Sequence, residues 1–251
     1  MTMKYSTFFI LAALVLTFGS SAIAADAPAK IQVLLITGDD VAPAHNWKET
    51  SQATFEVLDE SGKFDVKICE DPLILESETA LSRYDAIVFM IFNFKVPTIP
   101  DAAKENLLNF VKNGKGFVVN HLASASFKEW DEFGNLCGRK WVMGTSGHGP
   151  RSVFTANIAD KNNPITKGLE DFEIDDELYA KLQGDSEIHV LVSADSDWSN
   201  RTEPLVFIKE YGKGRVFHDA FGHDRKAIMT PAHKTLLIRG CEWAATGKVT
   251  E

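Results

Sequence analysis

The chain has 251 residues and a formal net charge of −9, and 45% of its residues are hydrophobic. A chain this acidic, with no run of Lys and Arg longer than two, is not expected to bind a phosphate backbone, so nucleic acid is excluded as the partner. The three cysteines, Cys69, Cys137 and Cys241, lie too far apart for a thiolate metal site. Their odd number allows one disulfide at most in an oxidising compartment and leaves the pairing open.

The first 24 residues resemble an export signal. Lys4 supplies a positive charge, residues 8–18 form a short apolar core, and Ala22-Ile23-Ala24 is a small-x-small cleavage site. No later apolar run is long enough to span a bilayer. The sequence therefore predicts a signal peptide at residues 1–24, one domain at residues 25–251, a periplasmic or secreted location, and no stable membrane insertion after cleavage.

The first half of the domain alternates strands and helices. Residues 31–37 form a near-continuous apolar run, typical of a buried parallel strand, and the loop after it carries His45 and Trp47. Further strands are predicted at residues 64–69 and 86–92, with helices between them and over residues 101–111. Strand-helix alternation at this spacing indicates right-handed βαβ units, and hence a mainly parallel sheet covered by helices.

The stretch Asn113-Gly-Lys-Gly-Phe-Val-Val-Asn-His-Leu-Ala-Ser-Ala continues this pattern. Its apolar run, residues 117–119, breaks at Asn120-His121, so a buried strand ends in a tight turn. Ligands of open α/β sheets bind at the carboxyl ends of the strands, which directs His121 into the expected crevice. The alternative is a turn histidine that is bonded to the backbone. No cysteine lies at this turn, so cysteine-dependent amidotransferase chemistry is not expected.

The second half is less regular. His148 lies in a glycine-rich loop, and strands are predicted at residues 152–158 and 188–194. The acidic segment Asp175-Asp176-Glu177-Leu178-Tyr179 suits a solvated loop or a helix start, or else it supplies a carboxylate that orients a histidine or acts as a base. An antiparallel pair over residues 204–210 and 215–220 follows, then Gly222-His223 and a last helix over residues 232–245.

Six of the seven histidines fall at predicted strand ends or in loops: His45, His121, His148, His218, His223 and His233. Such positions suit metal ligation and acid/base catalysis, whereas His189, inside a strand, has a structural explanation. The sequence contains no His-x-His or His-Glu-x-x-His pattern, so any metal site has to be assembled from separate loops. We take His45, His148 and His223 as the candidate ligands of a divalent metal such as Zn²⁺, and expect no organic cofactor.

Several motifs, in order, resemble the ThuA-like (trehalose utilisation) family of the class I glutamine amidotransferase-like superfamily. They are His45-x-Trp47, the Gly-x-Gly-Phe-Val-Val-x-His turn ending at His121, Gly-His148-Gly, Pro164-Ile165-Thr166-x-Gly-Leu, Asp176-Glu177-x-Tyr179, and Gly-Lys-Gly-Arg-Val-Phe running to Gly222-His223. The resemblance implies a flavodoxin-like three-layer α/β sandwich with a mainly parallel sheet. It also implies sugar catabolism, in particular of glycosides oxidised to 3-keto sugars. Asn120 departs from the small or apolar residue that the family more often has there.

The leading hypothesis is an exported enzyme, a lyase, hydrolase or isomerase, that acts on a carbohydrate derivative such as a 3-keto-glycoside by acid/base chemistry, with or without metal assistance. Its candidate residues are, for catalysis, His121, His148, Glu177 and Asp176, and, for substrate binding, Trp47, Asn120 and Tyr179. The alternative is a non-catalytic carbohydrate-binding or interaction protein, in which Trp47, Trp130, Trp141 and Trp198 stack on sugar rings. A small-molecule carbohydrate is the expected partner, and homo-oligomerisation is left open.

Overall fold

A computed structural model describes residues 1–4, 29–39, 43–93 and 98–250. The signal peptide predicted at residues 1–24 falls almost wholly outside these ranges, and it stays a prediction. Within the described ranges, no helix combines the length and the apolar character needed to cross a membrane. All three cysteines are free thiols.

The described residues form nine strands and six helices. The strands are β1 (Ile31–Ile36), β2 (Phe64–Cys69), β3 (Ala86–Phe89), β4 (Gly116–Asn120), β5 (Ser152–Ile158), β6 (Phe172–Asp176), β7 (His189–Ser196), β8 (Arg201–Tyr211) and β9 (Gly214–Asp219). The helices are α1 (Trp47–Glu60), α2 (Glu78–Leu81), α3 (Asp101–Lys112), α4 (Asp131–Cys137), α5 (Arg225–Ile228) and α6 (Pro231–Thr246). Two 3-10 turns, Pro72–Glu76 and His121–Ala125, follow β2 and β4.

The strands form one mixed sheet in the order β2-β1-β3-β4-β9-β8-β7-β5-β6. The α/β prediction is confirmed, but the mainly parallel sheet is not. Four pairs of neighbouring strands are parallel: β2–β1, β1–β3, β3–β4 and β4–β9. The other four are antiparallel: β9–β8, β8–β7, β7–β5 and β5–β6. The chain turns back between β8 and β9 through only Gly212 and Lys213, a connection too short for the crossover that parallel strands need.

Helices cover both faces of the parallel half. Alternate residues of β1 point to opposite sides, so Val33 and Leu35 pack with α1 and α6, while Leu34 and Ile36 pack with α3 and α4. All four side chains are buried. This explains the continuous apolar run in the sequence, because a strand that is covered on both faces needs apolar residues at every position.

The β5–β6 hairpin is joined to the rest of the sheet over a short stretch. Only two residue pairs, Asn157–Ser193 and Ile158–Val192, join β5 to β7, whereas five pairs join β5 to β6. Strand β6 corrects the prediction of a solvated loop or helix start at the acidic segment. Ile174 and Asp176 both face inward on this strand, and the polar side chain of Asp176 hides the alternation that indicates a strand.

Candidate metal centre

Each of three parallel strands is followed by a histidine at the same edge of the sheet. His45 follows β1, His121 follows β4, and His223 follows β9. These strands run in the same direction, so their carboxyl ends lie together. The β5–β6 hairpin folds over this edge and adds Glu177, the residue after β6. One potential ligand atom from each of these four residues lies within 4.8 Å of the other three.

The turn at His121 is conformationally strained. Its φ of 47° lies in the left-handed region, which non-glycine residues rarely occupy. His121 Nδ1 lies 2.7 Å from the carbonyl oxygen of Ala220, to which it donates a hydrogen bond. A neutral imidazole that donates through Nδ1 keeps its lone pair on Nε2, the atom that faces the cluster. The strained turn and this bond therefore present His121 as a pre-oriented ligand.

The spacing of the four atoms suits a metal ion. His45 Nε2 lies 3.2 Å from His121 Nε2 and 3.2 Å from His223 Nδ1. Glu177 Oε2 lies 3.2 Å from His223 Nδ1 and 3.5 Å from Nε2 of both other histidines. Tetrahedral Zn²⁺, with bonds of about 2.0–2.2 Å to nitrogen and oxygen, places neighbouring ligand atoms about 3.3–3.6 Å apart.

Two buried polar atoms of this cluster lack hydrogen bonds. Among the described residues, neither Nδ1 of His45 nor Oε2 of Glu177 has a hydrogen-bond partner. A buried unsatisfied carboxylate oxygen is costly, and a cation bound between the imidazoles and the carboxylate satisfies it. The donor set thus fits a divalent ion, with His45, His121, His223 and Glu177 as the residues that hold it.

The surroundings of the cluster shift the pKa of three of its four groups. Burial raises the pKa of Glu177, but the neighbouring imidazoles of His121 and His223 outweigh burial, and its pKa lies far below the usual range. Burial lowers the pKa of His45, which favours the neutral imidazole that a metal requires. The adjacent Glu177 carboxylate raises the pKa of His223, which favours its protonated form, so a metal ion would have to displace that proton.

His148 lies next to the cluster but outside the group of four. Its Nε2 is 3.5 Å from Oε1 of Glu177, whereas the three histidines of the cluster lie nearest Oε2. Its Nδ1 donates to the carbonyl of Gly149 at 2.6 Å. The glycine before it is required by packing, because a Cβ on Gly147 would lie 2.6 Å from the ring of Trp198. His148 is therefore held on a loop that rests against an indole.

The other residues predicted from the sequence lie at different depths. Asp176 is fully buried behind Glu177 and accepts hydrogen bonds from backbone N–H groups. Asn120 is buried and donates to the carbonyl of Phe221, and the buried Tyr179 ring stacks on His121 with centroids 4.2 Å apart. Trp47 is partly exposed and lines a small cavity beside His45.

One cavity is lined by residues of the cluster, and a larger cleft lies nearby. The small one, about 20 Å³, is lined by His45, His121 and Asn120 and has room for one water molecule. The larger cleft is about 760 Å³. Trp141 forms part of its wall, and the same indole lies 4.7 Å from the ring of Tyr179 and 6.0 Å from that of His148. Trp141 thus connects the cleft to Tyr179 and His148, the two rings beside the cluster.

The remaining histidines lie elsewhere. His189 is exposed and pairs with Asp160 at 2.7 Å. His218 and His233 are fully buried, and His233 contacts Asp219 at 2.8 Å. Sequence reasoning placed His148 among the metal ligands, whereas the structure groups His121 and Glu177 with His45 and His223. A histidine directly after a buried strand was the signal for His121, but no spacing signal marks Glu177 as its partner.

A family model described as "ThuA: Trehalose utilisation" matches residues 32–244. Among curated proteins, none matches the chain. Among solved structures, a ThuA-like protein from Parabacteroides merdae has 31% sequence identity and a TM-score of 0.78, over 89% of this chain and 92% of that one.

Two more distant structures share the fold. A ThuA-like protein from Bacteroides uniformis has 18% identity and a TM-score of 0.70, over 90% of this chain and 98% of that one. A β-galactosidase from Bacillus circulans has 14% identity and a TM-score of 0.59, and the likeness covers 86% of this chain but only 31% of the galactosidase.

Proposed function

The chain belongs to the trehalose utilisation (ThuA) family, and on that premise we propose that it is a metal-dependent enzyme that acts on a sugar derivative such as a 3-keto-glycoside. The observation that carries the proposal is the convergence of His45, His121, His223 and Glu177 within 4.8 Å at the carboxyl edge of the sheet. The family links the chain to carbohydrate metabolism. The cluster supplies the chemistry that a sugar carbonyl needs.

A bound divalent ion would supply a Lewis acid that polarises the ketone oxygen of the substrate. His148 is the base in this proposal. Its Nδ1 donates to the carbonyl of Gly149, so in the neutral ring Nε2 carries the lone pair. That atom takes the proton from the carbon next to the ketone. Loss of a leaving group from the neighbouring carbon then gives elimination, and return of the proton to another carbon gives isomerisation.

The larger cleft suits the rest of the substrate. Its volume of about 760 Å³ lies within the range of about 300–1,000 Å³ typical of ligand pockets. Phe127 and Trp141 provide apolar surface, while Lys128, Glu129 and Lys140 provide polar groups of both signs. Such a lining favours a neutral, hydroxyl-rich ligand over a strongly charged one.

The exposed residue Thr98 on the lining of the cleft offers a test of substrate binding. Thr98→Trp fills the cleft and is expected to weaken sugar binding at least tenfold in isothermal titration. Thr79→Trp, at an exposed position on α2, is the matched control and is expected to leave binding unchanged. Equal affinities in the two variants would place the sugar elsewhere.

Turnover provides the direct test of the function. The purified protein is incubated with a panel of 3-keto-glucosides, with added Zn²⁺ and after chelator treatment, and its metal content is measured by elemental analysis. We expect one metal per chain, activity that chelation abolishes, and loss of activity in His148→Ala but not in His189→Ala. A metal-free protein as purified that gains nothing from added metal, or no turnover across the panel, would refute the proposal.

A non-catalytic carbohydrate-binding protein is the second candidate, favoured by the position of Trp141 on the wall of the cleft. Sugar binding that survives His121→Ala, with no turnover in either protein, would support it.

We also propose that the protein is exported, because residues 1–24 carry the pattern of a secretory signal. Export predicts that the secreted or periplasmic form begins at Ala25, as N-terminal sequencing would show.

A further inference from the structure

We infer that Asp176 is a positioning residue that joins the two halves of the candidate metal centre. The inference rests on the metal site of the proposed function. It concerns a carboxylate that is a sequence neighbour of the ligand Glu177 but takes no place in the cluster itself. The role follows from the hydrogen bonds that its two oxygens accept.

Both oxygens of Asp176 are engaged by backbone N–H groups. Oδ1 accepts from the N–H of Glu177 at 2.8 Å and from that of His223 at 3.2 Å. Oδ2 accepts from the N–H of Gly222 at 2.7 Å. The side chain is fully buried, so water does not compete for these bonds. Such charge-assisted bonds in a buried setting are about twice as strong as neutral ones.

These bonds connect segments that are distant in the sequence. Glu177 comes from the β5–β6 hairpin, whereas Gly222 and His223 follow β9 and lie 46 and 47 residues beyond Asp176 in the chain. One carboxylate thus holds the backbones of two ligands, Glu177 and His223, in a fixed relation. Because only two residue pairs tie β5 to the main sheet, this link matters for keeping Glu177 over the imidazoles.

The turn after β9 is shaped to meet Asp176. Gly222 has a φ of 115°, a backbone conformation that residues other than glycine rarely adopt. In addition, a Cβ at this position would lie 3.3 Å from Oδ1 of Asn120. Glycine allows two successive N–H groups, those of Gly222 and His223, to point at the same carboxylate.

The other half of the same turn is fixed independently. Asp219 Oδ1 accepts from the N–H of Phe221 at 3.0 Å, and Oδ2 accepts from His233 at 2.8 Å. This anchor holds the Ala220 carbonyl that orients His121. Loss of Asp176 is therefore expected to loosen Glu177 and His223 while leaving His121 in place, which weakens metal binding without abolishing it.

The test compares Asp176→Asn with Asp175→Asn. An amide at position 176 keeps one acceptor oxygen and places an NH₂ group against a backbone N–H, so at least one bond is lost. Asp175 is the adjacent residue on the same strand, but its side chain pairs with Arg151 and Lys226 and not with the backbone of a ligand. Zn²⁺ affinity is measured by competition with a chromophoric chelator, and folding is checked by circular dichroism.

We expect Asp176→Asn to bind Zn²⁺ about 10–100-fold more weakly than the wild type, as is typical for loss of a group that orients metal ligands, and Asp175→Asn to bind it within about threefold. A folded Asp176→Asn variant with wild-type affinity would overturn the role of Asp176 while leaving the metal site standing. A wild-type protein that binds no Zn²⁺ would overturn the metal site and this role with it.

Amide hydrogen exchange on the metal-free wild type keeps the inference testable if Asp176→Asn does not fold. The amides of Gly222 and His223 are expected to be protected before any metal is added, because Asp176 already binds them. Exchange of both amides at the rate of an exposed loop would overturn the inference.

Discussion

His218 provides a test of the internal electrostatics that is independent of the metal. Its side chain is fully buried on β9, stacked on Phe207 with ring centroids 4.4 Å apart, and Nδ1 donates to the carbonyl of Cys137 at 3.0 Å. Nε2 has no hydrogen-bond partner among the described residues. Burial lowers the pKa of His218 from 6.5 to about 4.

This pKa shift makes stability fall as the pH falls. The unfolded chain takes up a proton on His218 near pH 6.5, whereas the folded protein resists protonation down to about pH 4. In that interval the unfolded state binds more protons, so acid favours unfolding. From about pH 7.5 to about pH 4.5, the linkage of this one group amounts to about 2.5 kcal/mol of lost stability.

The assay is urea unfolding of chelator-treated wild type and His218→Asn across this pH range. Asparagine keeps an N–H that can donate to the Cys137 carbonyl, but it does not titrate. Contributions from other groups, including His233, are shared by both proteins and cancel in the difference. We expect the variant to be less stable at neutral pH through lost packing, and this deficit to shrink by about 2 kcal/mol toward pH 4.5. Parallel pH curves for the two proteins would refute the reasoning.

Three further predictions concern the metal centre and its surroundings. Zn²⁺ at about 100 times its Kd is expected to add about 2.7 kcal/mol to the free energy of unfolding of the wild type. Glu177→Gln is expected to lose most of this gain. Urea titrations with and without Zn²⁺ would measure both effects. In Gly147→Ala the new Cβ would lie 2.6 Å from the ring of Trp198. We expect this clash to shift His148 and to lower kcat about 10–100-fold, while Zn²⁺ affinity stays unchanged. An equal loss of kcat and of Zn²⁺ affinity would assign the loop to metal binding. His189→Ala is expected to change stability by less than about 1 kcal/mol, because its ion pair is exposed, and a larger change in thermal or urea unfolding would contradict this.

The sequence predicted the parallel half of the sheet because its signals are local. The run at residues 31–37 and the stretch around Phe117 are apolar at consecutive positions, as strands buried on both faces must be. The positions of His45 and His121 then follow from the rule that parallel strands end at a common edge. For His45 and His121, strand direction predicted the common edge, whereas the parallel pairing of β9 with β4, which brings His223 there, is seen only in the structure.

The second half of the chain contributes to the candidate metal site through tertiary contacts that leave no local pattern in the sequence. Nothing in the sequence indicates that the β5–β6 hairpin folds over the edge to bring Glu177 to the imidazoles. Nor does it distinguish Asp176, whose oxygens bind backbone, from Glu177, whose oxygen faces the cluster. His218 lies only five residues before His223, yet one is enclosed in the core and the other is partly exposed at the edge. Burial of this kind is decided by tertiary packing and not by residue type.

The attachment of the β5–β6 hairpin has a mechanical consequence. Strand β5 pairs with β7 through only two residue pairs. At the other end of the hairpin, Glu177 lies beside three imidazoles from the parallel half of the sheet. An ion in the cluster would therefore act as a cross-link that closes a long chain loop. Chelation would then remove this cross-link and leave the backbone bonds of Asp176 to hold the hairpin, and proteases would cut this region faster than in the metal-bound protein.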